Sequence, residues 1–205
     1  EGGAVYFGSD CSNGTIDNST FEYNYAFNKG GAVHWIGENG TINDTTFTNN
    51  SADREGGAVF FDGNSGNMTN NEFYKNSAPY SGGALRISGN NTFVNASVFE
   101  GSYDHTNTNT SWGSAIYISG HNATVTYTNF TNKSGAQYGG AVYLYGSNET
   151  LKYNNFTDNV AKTGGAIYVN GSNSNDQKAK EAYMKGFHKL HKQMKTVFES
   201  DKFIS

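Results

Sequence analysis

Apolar side chains in this chain come in short alternating bursts, separated by polar stretches of Asn, Gly, Ser and Thr. After Gly-Gly-Ala the first and third positions are apolar in every copy: Val5 and Phe7, Val33 and Trp35, Val59 and Phe61, Leu85 and Ile87, Val142 and Leu144, Ile167 and Val169. A variant, Gly113-Ser114-Ala115, leads into Ile116 and Ile118. A period of two over so short a run predicts a strand with one face buried. The Gly, Asn, Ser and Asp clusters between bursts are turn formers.

The bursts repeat in step. The first glycines of the seven copies lie 28, 26, 26, 31, 26 and 25 residues apart. Phe21, Phe47, Phe73, Phe99, Phe130 and Phe156 follow one another at steps of 26, 26, 26, 31 and 26. Five positions before each Phe stands an apolar residue: Ile16, Ile42, Met68, Val94, Val125 and Leu151. A unit of this length with short strands and no helical period cannot close its own core. Each burial is worth ~1.5–3 kcal/mol per apolar side chain, against an ordering cost of ~1–2 kcal/mol per residue. Stacking the copies, so that each strand pairs with its equivalent in the next coil, gives one continuous core. Parallel crossovers take one hand. The prediction is an all-β, right-handed parallel β-helix of about seven coils over residues 1–172, followed by an amphipathic helix over 173–205.

Asn24, Asn50, Asn76 and Asn159 lie three residues after a repeat Phe and are expected to turn inward and stack amide on amide. Ser102 and Lys133 break that ladder beside a five-residue insertion, which predicts a protruding loop at 103–111.

Gly-Gly-Ala-[Val/Ile/Leu] paired with Phe-x-x-Asn resembles the repeat of chlamydial polymorphic outer membrane proteins. It is similar also to the large adhesin-like surface proteins of methanogenic archaea, whose Asn/Thr/Tyr-rich composition is the nearer match. The resemblance covers residues 1 to about 172 and implies a surface-exposed β-helix. It departs at Gly113-Ser114-Ala115 and in the two coils without the Asn.

Composition narrows the classes. Hydrophobic residues are 35% and charged residues 16%, which alone would suggest disorder, but aromatics stand at 15%. The net charge of −4 argues against nucleic acid as a partner. Cys11 is the only cysteine, so no intramolecular disulfide forms. No apolar run approaches the ~20 residues of a membrane span. The chain opens inside a repeat, at Glu1-Gly2-Gly3-Ala4, which suggests a piece of a longer or processed protein.

The residue between the two buried positions of each burst is expected to face solvent. Down the stack it reads Tyr6, His34, Phe60, Arg86, Tyr117, Tyr143 and Tyr168, a candidate ladder for stacking on sugars or gripping a partner protein. The competing reading is plain cross-strand pairing along the stack. The position before the glycines, Glu1, Lys29, Glu55, reads as a surface charge ladder. Fifteen Asn-x-Ser/Thr sequons occur, among them Asn13, Asn39, Asn67, Asn90, Asn122, Asn148 and Asn170, candidates for N-glycosylation in a secreted protein.

After Asn175 the composition changes: seven lysines face four acids from Asp176 onward. Ala179, Tyr183, Phe187, Leu190, Met194 and Val197 step by four and three, an amphipathic helix with a capping box at Ser174 and Gln177 and a weak point at Gly186. It reads as a cap over the solenoid's end or as a segment foreign to the repeat. His188 and His191 lie three apart on it, without a nearby carboxylate or Cys to complete a metal site.

These features together suggest an extracellular, cell-surface, adhesin-like structural module: no enzyme, no cofactor, no metal, no nucleic acid and no transmembrane segment. Its expected partners are cell-surface glycans or proteins, with self-association through open coil ends. The alternatives are a filament or sheath subunit and a polysaccharide-degrading lyase or glycoside hydrolase. The latter needs converging carboxylates or a Ca²⁺ site with a basic residue. Glu38 and Asp62 are the nearest candidates, with Arg54 and Arg86 the only guanidinium groups.

Overall fold

The computed structural model describes residues 1–101 and 111–171. Three parallel sheets run its length. The first holds seven strands, Val5–Phe7, Val33–Trp35, Val59–Phe61, Leu85–Ile87, Ile116–Ile118, Val142–Leu144 and Ile167–Val169, stacked in chain order. The second and third hold six each, running from Thr15–Asp17 to Thr150–Lys152 and from Thr20–Glu22 to Asn155–Thr157. The chain therefore completes six turns and opens a seventh, where the repeat count predicts about seven. Two short two-stranded ladders, Tyr25–Ala26 with Ser51–Ala52 and Ala136–Tyr138 with Ala161–Thr163, lie beside the third sheet in sequence. No helix occurs among the described residues, and none is long and apolar enough to cross a membrane.

Repeat residues meet their equivalents without slippage: Val5 faces Val33, Met68 faces Val94, and Phe99 faces Phe130. The irregular spacings are absorbed outside the strands. The two extra residues of the first coil fall between Phe7 and Thr15, around Cys11, and the five-residue insertion follows Gly101. Apart from Ser111, the loop expected at 103–111 lies outside the described residues. So do Ser102 and the whole 173–205 segment, with Ser174, Gln177, Gly186, His188 and His191.

The core is a set of columns. Phe21, Phe47, Phe73, Phe99, Phe130 and Phe156 stack face to face, with centroids 5.2, 4.9, 4.4, 5.2 and 4.8 Å apart. Beside them the large third residue of the first sheet is matched by a small one in the following turn. A Cβ on Gly40 would lie 2.3 Å from Trp35, and one on Gly66 would lie 2.3 Å from Phe61. Where the column narrows to Ile87 and Ile118, the turn carries Thr92 and Ala123 instead. The second glycine of every pair but the last is needed for a different reason. A Cβ on Gly57 would sit 2.0 Å from the carbonyl oxygen of Gly83 in the next coil.

Each corner is turned by one residue in the left-handed region. One such column is Asn13, Asn39, Ser65, Asn91, Asn122 and Asn148; a second is Asn18, Asp44, Asn70, Ala96, Tyr127 and Tyr153. Asn and Asp tolerate this conformation better than other non-glycine residues.

The expected asparagine ladder forms. Asn24 Nδ2 donates to Asn50 Oδ1 at 2.9 Å and Asn50 Nδ2 to Asn76 Oδ1 at 3.0 Å. Asn50 Nδ2 also donates back to the Phe21 carbonyl at 2.9 Å, and Asn76 Nδ2 to the Phe47 carbonyl at 2.8 Å. Asn159 repeats this toward Phe130 at 2.9 Å. Lys133 occupies the ladder position one coil earlier, fully buried, with its ammonium donating to the Gly101 carbonyl. A second polar column stands between the second and third sheets. There Asn71 Oδ1 accepts from the Thr45 amide at 3.0 Å, and Asn154 Oδ1 accepts from the Thr128 amide at 2.9 Å. Ser97 fills the same position between them, its hydroxyl accepting from the Asn71 amide at 3.2 Å.

Candidate functional site

The middle residues of the first-sheet strands lie outside the core, as their alternation requires, but most are not open to solvent. Tyr6 is 50% exposed, whereas His34 and Phe60 are 2% exposed. Tyr117 and Tyr143 are also buried, and Arg86 and Tyr168 are half-buried. This corrects the expected exposed ladder. The rings cover one another along the axis, with Tyr117 to Tyr143 at 4.9 Å and Tyr143 to Tyr168 at 5.1 Å. The neighbouring column, the residues before the glycine pairs, folds over them from the side. The Lys29 ammonium lies 4.3 Å from the Phe60 ring centroid, Trp112 lies 6.1 Å from Tyr117, and Tyr138 lies 4.9 Å from Tyr168. Glu1, Lys29 and Glu55 thus belong to a covering column, not a free charge ladder.

Arg86 is held inside this stack. Its guanidinium carbon is 4.1 Å from the Tyr117 ring centroid and 5.7 Å from that of Phe60. Its Nη1 donates to the Ile87 carbonyl at 2.7 Å and to the Ser119 hydroxyl at 2.9 Å. Burial lowers its pKa from the usual arginine value, opposed chiefly by Glu55. Burial also lowers the His34 pKa, with the Glu1 carboxylate, 3.4 Å away, opposing it. The imidazole is therefore neutral at neutral pH, and its contact with Glu1 is not an ion pair there. The strip is a set of packed aromatic and cation–π contacts along the stack.

The sequon asparagines stand at the surface. Asn13, Asn39, Asn122 and Asn148 are exposed corner residues with φ of 59, 54, 58 and 65°. Two of them are linked, Asn148 Nδ2 donating to Asn122 Oδ1 at 2.8 Å. Asn67 is exposed on a strand, and Asn90 is half-buried with its Oδ1 accepting from the His121 amide at 2.7 Å. Asn170 is exposed and donates to the Tyr143 hydroxyl at 3.2 Å.

Glu38 and Asp62 are both exposed, on adjacent coils. Glu38 accepts from Asn64 Nδ2 at 3.2 Å, its equivalent one coil on, and Asp62 lies two residues earlier in the repeat than Asn64. Among the described residues no group of three or more His, Cys, Asp and Glu is gathered to hold a metal.

The aromatic surface lies elsewhere, at the corners. Tyr127 and Tyr153 are 61% and 75% exposed and stack on each other at 4.9 Å. Tyr23, Phe27, Tyr80 and Tyr145 are exposed on other turns, and Tyr25 is exposed on its short strand. Sequence reasoning missed Tyr127 and Tyr153. The available signal was their shared place three residues before a repeat Phe, where the first three coils carry Asn or Asp and the fourth carries Ala96.

A family model described as a right-handed β-helix region matches residues 3–178. No curated protein and no solved structure matches the chain.

Proposed function

We propose, from the premise that this chain belongs to the right-handed β-helix family, that it is a non-catalytic, extracellular module of a cell-surface, adhesin-like protein. The family's architecture serves binding and catalysis alike, so the choice rests on what the side chains do. The observation that carries the reading is how the outward polar groups are used. Several are engaged by an adjacent coil: Glu38 by Asn64, Asn122 by Asn91, Asn148 by Asn122, and Arg86 by its aromatic neighbours. Such a surface is stiff and largely self-satisfied. It offers spaced tyrosines for contact and exposed sequon asparagines, which suits display outside a cell to glycans or proteins. A polysaccharide lyase or glycoside hydrolase would instead hold its carboxylates ready for substrate.

Incubating the protein with a panel of polysaccharides, with and without Ca²⁺, tests this directly. No depolymerisation is expected. Turnover that disappears in Glu38→Gln or Asp62→Asn would overturn the reading in favour of the enzyme.

A further inference from the structure

The corner column Asn18, Asp44, Asn70, Ala96, Tyr127, Tyr153 has one rung without a long side chain. We propose that the space above Ala96 is a binding subsite for one pyranose ring of a neutral glycan, an inference that rests on the surface-module reading and gives it an address.

Backbone hydrogen bonds place the rungs in order: the Asn70 amide donates to Asn95, Ala96 to Thr126, and Tyr127 to Lys152. Tyr127 and Tyr153 have φ of 51 and 57°, a conformation that bulky residues disfavour. They bury little in return, at 61% and 75% exposure. A strained, exposed aromatic pair points to function more than to stability. Tyr153 covers one face of the Tyr127 ring, with centroids 4.9 Å apart and planes 20° from parallel. The other face looks along the axis toward the rung of Ala96, which is itself exposed.

Successive rungs are ~4.8 Å apart, so Asn70 and Tyr127 are separated by ~9.6 Å. That leaves one stacking distance between the Tyr127 face and the level of Ala96. A flat ring with apolar C–H faces fits it and packs on the aromatic surface. The polar neighbours at the edge are amides. Asn70 gives its nitrogen to Asp44 and keeps a carbonyl oxygen as acceptor, while Asn95 accepts from the Thr126 hydroxyl and keeps its amide nitrogen as donor. An acceptor and a donor at the rim of an aromatic slot match the equatorial hydroxyls of a neutral sugar. An aromatic side chain from a protein would use the stacking face and leave both amides idle.

The test uses the full chain made in a host that adds no N-glycans. Saturation-transfer NMR is run against neutral oligosaccharides of glucose, mannose, galactose and N-acetylglucosamine. At least one of these probes is expected to bind, with affinity falling tenfold or more in Ala96→Tyr, which fills the rung, and in Tyr127→Ala, which removes the platform. The column already carries tyrosine at two rungs, so Ala96→Tyr keeps the fold, checked by an unchanged melting curve. Tyr145→Ala, at a different turn, is expected to bind as the parent does. The slot is overturned if no probe binds, or if Ala96→Tyr and Tyr127→Ala both bind like the parent. Neither result touches the non-catalytic reading, which stands or falls on the depolymerisation assay.

Discussion

At the scale of single residues, the solenoid is held by polar side chains that answer backbone groups one coil away. Asn50 accepts from the Asn24 amide and side chain and donates to Phe21 and Asn76, so each rung satisfies its neighbour. Leaving one such buried group unmade costs ~1–3 kcal/mol. Lys133 is the exception in this column. Burial pushes its pKa down to about 7, with Glu100 opposing the shift. The unfolded lysine keeps its proton up to a pKa of ~10.4. Between the two values the unfolded chain binds more protons than the folded one, so stability rises with pH from neutrality upward. Urea denaturation of the parent protein is therefore expected to show a midpoint climbing between about pH 7 and 9. In Lys133→Met that slope should flatten, and an equal slope in both would show that the buried ammonium does not set it. Sequence alone marked Lys133 as a break in the ladder, since Asn was the pattern. It could not show the lysine folding inward to the Gly101 carbonyl instead of out to water.

At the scale of strands and turns, the match of a large core residue with a glycine makes the first coils wide on one side. Trp35 packs on Phe7 at 3.8 Å and needs Gly40 beneath its indole. Gly40→Ala forces a Cβ into Trp35 and is expected to cost ~1–3 kcal/mol through overpacking. Trp35→Ile should cost ~3 kcal/mol or more by leaving a cavity. Together they recreate the Ile118–Ala123 pairing of a later coil, so the double variant should be more stable than the two costs predict by ~0.5–3 kcal/mol. Additive melting shifts would show the two positions to be independent. Strand register was legible from the sequence because Phe and Gly-Gly-Ala mark each coil with one residue type. The second polar corner was not, because Asn71, Ser97, Thr128 and Asn154 do the same work with different side chains. Nor was the closure of the aromatic strip. Alternation reports which side of a strand a residue takes, and says nothing of a neighbouring column folding across it, as Lys29 and Trp112 do.

At the scale of the whole molecule, contacts link each coil to its immediate neighbours, so stability is a sum of nearest-neighbour terms. Coils inside the stack are covered on both sides: Val59, Phe61, Leu85 and Ile87 are fully buried, while Val5, Phe7 and Val169 are only partly so. Native-state hydrogen exchange is expected to follow that gradient, with Val59–Phe61 and Leu85–Ile87 amides protected longest and those of Val5–Phe7 and Ile167–Val169 exchanging first. Uniform protection would mean that the stack opens as one unit. The exact pairing of like residues has a further consequence, for growth. Duplicating or losing one complete period leaves every side chain with a counterpart of the kind it already has, and shifts the reach by a fixed step of ~4.8 Å. Removing a single residue inside a strand turns its inward side chains outward. Such a rod changes size as a ruler does, by whole graduations, and what it holds at its far end can be moved outward without redesigning anything between.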